Sequence, residues 1–400
     1  MNIAVPLPRF EFDEKILDQG AEISRRLNQL RMEKFPPDAR RSLRQFSMAE
    51  VAHYLGVTQN NLKRLHLEGK GPVPAQLSSG RRFYTADQML DLRHYLDRNG
   101  RTGVKKYVPH RKAGDKLQVI AVVNFKGGSG KTTTAAHLSQ YLALTGHRVL
   151  AVDLDPQASL SALHGFQPEL DRNLSLYEAI RYDEERKPLS HIILPTNFPG
   201  LDIIPANLEL QEYEYDTPLA MQDRSSREGR QFFTRIAVAL EEVDARYDVV
   251  IIDCPLQLGY LTLTAMSAAT SVLITVHPQM LDLMSMSQFL LMLGGILKTV
   301  KTAGAKVELD WFRYLITRYE PSDIPQAQMV GFMQSMLAEE ILASPMLKST
   351  AVSDAGLTKQ TLYEVEKTSF TRSTYERAIE SLDAVNSEIA ALVHRAWGRK

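Results

Sequence analysis

The sequence predicts an α/β fold: a mostly parallel, doubly wound sheet domain over residues 117–400, preceded by a small α-helical domain of winged helix-turn-helix type. Three observations predict it. Apolar runs at 117–123, 148–153, 201–204, 248–253, 271–276 and 311–317 alternate with amphipathic helical stretches, as strands of a sheet covered on both faces should. A stretch rich in glycine and lysine lies between the first run and the first helix. Residues 46–98 carry two short helical patterns separated by a glycine, the spacing of a helix-turn-helix.

The 400 residues hold 47 Lys+Arg and 47 Asp+Glu, a neutrality that hides a split. Residues 1–116 hold 22 basic against 13 acidic side chains, a net +9, and the remainder is −9. A basic module joined to an acidic body suits nucleic-acid binding by the module. Hydrophobic content of 44% and charged content of 24% exclude wholesale disorder and fibrous folds. The single cysteine, Cys254, excludes an intrachain disulfide and fits a reducing cytoplasm. The N-terminus has no basic-then-apolar signal pattern. The longest apolar run, near 267–276, is too short to span a bilayer, so no membrane partner is expected.

Along the chain, residues 1–45 read as a helical arm. Ile23, Leu27, Leu30 and Met32 fall near helical spacing before Pro36-Pro37, which predicts a helix and then a break. Such a helix either dimerises or packs on its own domain. In 46–98, Ser47 and Glu50 form a capping box and Gly56 stops the first helix. Thr58 begins a second, with Gln59, Asn60, Lys63 and Arg64 at exposed positions. Those side-chain types hydrogen-bond base edges and phosphates. Gly80-Arg81-Arg82-Phe83-Tyr84 reads as a wing, and Thr85 with Gln88 caps a further helix. The block resembles the winged helix-turn-helix of MerR-type regulators; the other reading is a charged helical hairpin. Residues 99–116 have the composition of a basic linker, with charges solvated or touching phosphate.

The central motif is Lys126-Gly127-Gly128-Ser129-Gly130-Lys131-Thr132-Thr133. Glycines let backbone N–H groups turn inward around phosphate oxygens, and the helix N-terminus adds partial positive charge. Lys131 is expected to reach the β- and γ-phosphates of ATP, and the Thr132 hydroxyl to ligate Mg²⁺. The run 249–253 ends in Asp253, a second Mg²⁺ position. Asp153 and Asp155 close the preceding strand, where alternation places them on one side. Cys254 reads as a buried strand residue. The ten histidines show no metal spacing.

An ordinary P-loop has glycine where Phe125 stands, whereas Lys126 supplies an extra lysine. The chain therefore resembles the ParA/MinD family of deviant Walker A ATPases. That resemblance implies that Lys126 reaches across a nucleotide-sandwich homodimer, that Asp153 lies near Mg²⁺, and that Asp155 polarises the attacking water. Leu256 stands where the family often has a second proline. The long N-terminal region, SLRQFSMAEVAHYLGV and LTKQTLYEVEKTSFTRSTYERAIESLDAVNSEI resemble the RepA (ParA-type) partition proteins of repABC plasmids over nearly the whole chain. This implies a nucleoid-associated partition ATPase working with a centromere-binding protein of ParB/RepB type. It also implies DNA binding in two modes: operator-specific through the N-terminal domain, with autorepression, and non-specific through the ATP dimer. Lys367, Arg372 and Arg377 are candidates for the non-specific contact, or a solvated face. The alternatives are a regulator that merely senses ATP and a MinD-like membrane-cycling ATPase. The C-terminal pattern of Leu382, Val385, Ile389, Leu392 and Val393 reads as core packing, with a membrane helix as its rival. Methionines at 280, 284, 286 and 292 read as core or as a partner groove.

Overall fold

A computed structural model describes residues 11–34, 43–76, 80–100, 106–166, 173–222, 229, 231–304 and 308–399. Two compact units emerge, Met1–Ser42 and Leu43–Lys400. In the first, α1 (Phe12–Lys34) is a 23-residue helix, longer than the apolar spacing alone suggested. Glu22 holds Arg25 and Arg26 one turn on, at 2.8 and 2.6 Å. The side chains of Leu27, Leu30 and Met32 and the Pro36-Pro37 break lie outside the described residues.

The second unit opens with the winged block: β1 (Phe46–Ser47), α2 (Met48–Leu55), α3 (Gln59–Leu67), β2 (Ala75–Gln76), β3 (Arg82–Tyr84) and α4 (Ala86–Asn99). The local signals act as predicted. Ser47 and Glu50 cap α2 reciprocally, and Gly56 ends it at φ +61°, a left-handed position that glycine takes without strain. Thr58 caps α3, and Thr85 with Gln88 caps α4. The wing is a three-stranded antiparallel sheet in the order β1-β3-β2. β1 and β2 are two residues each, too short to leave an alternation pattern.

The body is a seven-stranded sheet in the order β10-β9-β4-β8-β5-β7-β6. Its strands are β4 (Gln118–Val123), β5 (Val149–Asp153), β6 (Leu194–Pro195), β7 (Leu201–Ile204), β8 (Val249–Asp253), β9 (Ser271–Val276) and β10 (Trp311–Ile316). All pair in parallel except β6. The pattern missed that two-residue edge strand as well, and the edge is where a proline without N–H is tolerated. Helices α5 (Lys131–Leu144), α6 (Ser159–Leu163), α7 (Tyr177–Ile180), α8 (Glu212–Gln222), α9 (Arg235–Glu241), α10 (Tyr260–Ala268), α11 (Met280–Thr302), α12 (Ile324–Leu337), α13 (Thr350–Leu357) and α14 (Arg372–Ala396) follow in order. Ile120, Val122, Ala151 and Ile251 face one core layer; Val119, Ala121, Val152 and Ile252 face the other. In α14, Leu382, Val385, Ile389, Leu392 and Val393 are buried, so this helix packs in the core.

The sequence gives α5 one apolar face, yet nearly all of it is buried, including His137, Ser139 and Gln140. The reason is docking: the winged block and α14 cover its outer side. Arg93 of α4 donates to the carbonyls of Tyr54 (2.7 Å), Leu144 (3.2 Å) and Tyr107 (2.7 Å). Burial pulls its pKa down to about 10. Gly146, at φ +97°, gives it room, because a Cβ there would fall 2.3 Å from Arg93 Cδ. Arg44 donates to the Tyr363 carbonyl (3.0 Å) and pairs with Glu50 (2.9 Å). His53 faces Asp383 at 3.3 Å. The linker reading needs correction too. Asp97 accepts the Tyr107 and Val108 N–H groups, and Arg111 donates to the Tyr247 carbonyl and pairs with Asp244. Part of the basic linker is therefore strapped to the body instead of solvated.

Two buried histidines make the fold sensitive to acid. His137 faces the Thr133 carbonyl through Nδ1 and accepts the Leu362 N–H at Nε2, which requires the neutral ring. Burial holds its pKa down at about 4 and, with His394 alongside, that of His147 at about 3. Both folded values lie below the unfolded value of about 6.5. Their stabilisation is complete above that value and is lost as pH falls toward 4 and then 3. Each should cost on the order of 1 kcal/mol per pH unit in that window. Urea midpoints measured from pH 7.5 to 5 should fall; a flat profile would contradict this.

Candidate functional site

The loop from 126 to 130 leaves the C-terminal end of β4 and enters α5. Gly128 at φ +76° and Gly130 at φ +85° occupy the left-handed region, so glycine is required to close this turn. The loop is braced from behind. The Asn124 carboxamide accepts the Lys126 N–H (2.9 Å) and donates to the Thr275 carbonyl (2.6 Å). The Thr317 hydroxyl donates to the Ser129 carbonyl at 2.7 Å. Gly127, Gly128, Ser129, Gly130, Lys131, Thr132 and Thr133 border a cavity of about 600 Å³, which Asp155 also lines. That volume suits a nucleotide-sized ligand.

Behind the loop stand the acids. Asp153 and Asp253 pair across the register of β5 and β8, and both are buried. Neither oxygen of Asp253 has a hydrogen-bond partner of normal geometry. Burial pushes its pKa well up and Asp153 adds to that; the Thr132 hydroxyl and Lys131 oppose it. Asp153 has both oxygens engaged, accepting Ser161 N–H and O–H at 2.7 Å and Asp155 N–H at 3.2 Å. Burial lifts it to about 7. Asp153 thus anchors the turn that carries Asp155. The strand ends at Asp153, so alternation does not extend to Asp155, which reaches the cavity from the turn instead. Lys131 is buried, which lowers its pKa, while Asp253 and Asp155 raise it. A buried carboxylate with no hydrogen bond of normal geometry, beside a hydroxyl and a lysine, fits a hard divalent cation such as Mg²⁺ that also binds phosphate oxygens.

Lys126 turns its amine to Asp282 on α11, at 2.7 Å. To reach across a dimer it has to leave that carboxylate. Cys254 is buried and its thiol is pushed up by burial, as expected of an inert strand residue. Leu256 is part-exposed beside Gly127. The motif reading missed three parts. Thr317 and Arg318 after β10, and residues 346–353, complete the cavity wall without any local motif; the signal available was the end of the strand at 316. Glu214 of α8 accepts the N–H groups of Tyr260 and Leu261 at 2.9 Å. It thereby caps α10, next to the loop after Asp253.

On the winged block, Gln59, Asn60, Lys63, Arg64 and Arg81 are exposed and Arg82 is half-buried. Lys367 lies over the Tyr375 ring at 5.6 Å. Arg372 pairs with Glu376 at 2.9 Å, and Arg377 is exposed. Met286 is core, whereas Met280, Met284 and Met292 are exposed. The longest apolar stretch is α11 and not 267–276: it is long and apolar enough, by length and composition, to cross a membrane. Its Leu283, Met286, Phe289 and Leu293 are buried against the sheet, and Val300 packs with Phe232, Phe233 and Leu263. Among the described residues no group of three or more His, Cys, Asp or Glu is placed to hold a metal ion.

A glycine cradle with two lysines on a parallel sheet, joined to a winged helix-turn-helix, defines a ParA/MinD-type P-loop NTPase with a DNA-reading type of N-terminal domain. Residues 117–305 match the model of an AAA domain and residues 46–96 that of a MerR HTH family regulatory protein. A "Putative replication protein A" of Sinorhizobium fredii is 70% identical over 99% of this chain and 97% of its own. The sporulation initiation inhibitor protein Soj of Bacillus subtilis is 36% identical over 46% of this chain and 74% of its own. A solved "Partition Protein" shares the fold over 96% of this chain and all of its own, with a TM-score of 0.60 at 18% identity. The chain belongs to the RepA (ParA-type) family of repABC plasmid proteins.

Proposed function

We propose that the chain is a plasmid-partition ATPase that binds DNA in two modes and acts as a homodimer. The observation that carries this reading is the convergence of Lys131, Thr132 and Asp155 on one cavity, with the Asp253 carboxylate buried beside Thr132 and Lys131. Phosphoryl transfer to water needs positioning and charge neutralisation more than covalent chemistry. The loop N–H groups and Lys131 hold the β- and γ-phosphates. Thr132 and Asp253 would hold Mg²⁺, which when bound would neutralise charge developing on those phosphates. Asp155 orients the attacking water, and Asp153 fixes the turn that aims it. Lys126, freed from Asp282, neutralises phosphates of the second subunit, so turnover is slow until dimerisation, DNA and a ParB/RepB-type protein favour that state.

Gln59, Asn60, Lys63 and Arg64 read the operator, with Arg81 and Arg82 on the wing. Lys367, Arg372 and Arg377 contribute backbone contacts on the ATP dimer. Asp155→Ala should lower hydrolysis by about a hundredfold or more, the order of removing a water-positioning group, and leave ATP affinity within a few-fold. Plasmid loss measured in cells carrying D155A separates the motor from a purely ATP-sensing repressor. Stable inheritance with D155A would leave the sensing reading standing.

A further inference from the structure

Arg318 lies outside every motif, yet it bears on the cradle. It follows β10 at φ +52°, a region a non-glycine residue enters only when its surroundings hold it there. They do so on both sides. The Thr317 N–H donates to the Val276 carbonyl at 2.8 Å, the Tyr319 N–H to Met346 at 3.1 Å, and the Lys348 N–H back to Tyr319 at 2.9 Å. The backbone so fixed carries the guanidinium over the loop, where Nη1 donates to the Gly128 carbonyl at 3.0 Å. Thr317 takes the next carbonyl, that of Ser129.

A glycine-rich loop is permissive: with no Cβ its peptides can flip, so something must select their orientation. In a planar trans peptide the N–H points opposite to the C=O. Holding the Gly128 and Ser129 carbonyls therefore also fixes the direction of the Ser129 and Gly130 N–H groups, on the opposite side of each peptide. We propose that Arg318 is a positioning residue for phosphate binding, selecting with Thr317 the peptide orientation that the nucleotide needs. This rests on the nucleotide reading above.

The test uses the full-length chain with R318A, R318K and R318G. MgADP affinity is measured by calorimetry, hydrolysis by KM and kcat, and stability by thermal unfolding without nucleotide. R318A and R318G should each weaken MgADP about tenfold, the order expected for one charge-assisted hydrogen bond. KM for ATP should rise to match, while kcat changes less than twofold. R318K keeps a donor and should recover part of the affinity. Glycine relieves the left-handed backbone, so R318G should unfold no earlier than the native chain. Wild-type affinity in R318G, or losses of affinity that only track a lowered unfolding midpoint, would overturn the proposal. A native chain that fails to bind MgADP would instead sink the nucleotide reading, and this proposal with it.

Discussion

Lys131→Ala should reduce nucleotide affinity by about a hundredfold or more and bring hydrolysis to background. A lysine at the first position of α5, buried and facing Asp253 and Asp155, supplies a buried cation to the cradle that holds the phosphates. Without it, the β- and γ-phosphates lose the buried ammonium of the cradle. Removing one partner of a buried charged set costs roughly 3 kcal/mol or more, and each 1.4 kcal/mol is tenfold in Kd. Lys126 cannot substitute, because Asp282 holds its amine at 2.7 Å. Folding should survive, since Asp253 already has its pKa well raised and takes up a proton once Lys131 is gone. Calorimetry with MgADP, run beside thermal unfolding, checks both halves. Near-native affinity in K131A would place the phosphates elsewhere.

Arg93→Ala should destabilise the junction between winged block and body by about 4.5 kcal/mol or more, and the block should then unfold in a transition of its own. Three carbonyls lose their donor together, and each hydrogen bond to a charged group contributes about 1.5 kcal/mol or more. The carbonyls belong to α2, α5 and the linker, so one side chain ties all three. Arg93→Met keeps the stem and should lose about half as much. Gly146→Ala should weaken the same junction, because its Cβ would overlap Arg93 at a φ that alanine resists. Urea unfolding followed at the Tyr54 and Tyr141 end of the junction, against a signal from the sheet, resolves one transition from two. A single transition with native midpoint in R93A would show that Arg93 carries none of the docking.

Legibility in the sequence followed the locality of the physics. Caps, the Gly56 stop, the six long strands and the cradle are set by a few adjacent residues, and the structure has them at those positions. The two-residue strands β1, β2 and β6 were invisible because two residues carry no period. Burial of α5 on all sides was invisible because it depends on what docks there, and no local pattern encodes that. Alternation stops at Asp153, so Asp155 comes to the cavity from the turn that follows the strand. Thr317, Arg318 and 346–353 reach the cavity from the far end of the body. No spacing rule connects them to residue 128, since the sheet order, not the chain, makes them neighbours.

The charge split becomes a working hypothesis about two DNA modes in one neutral chain. Binding to an operator fragment and to random DNA, under MgADP and under MgATP across a salt series, tests it most directly. The account predicts operator preference with a shallow salt slope under ADP. Under ATP it predicts sequence-independent binding that weakens steeply with salt, in proportion to the phosphates neutralised. The same preference and the same slope under both nucleotides would contradict it.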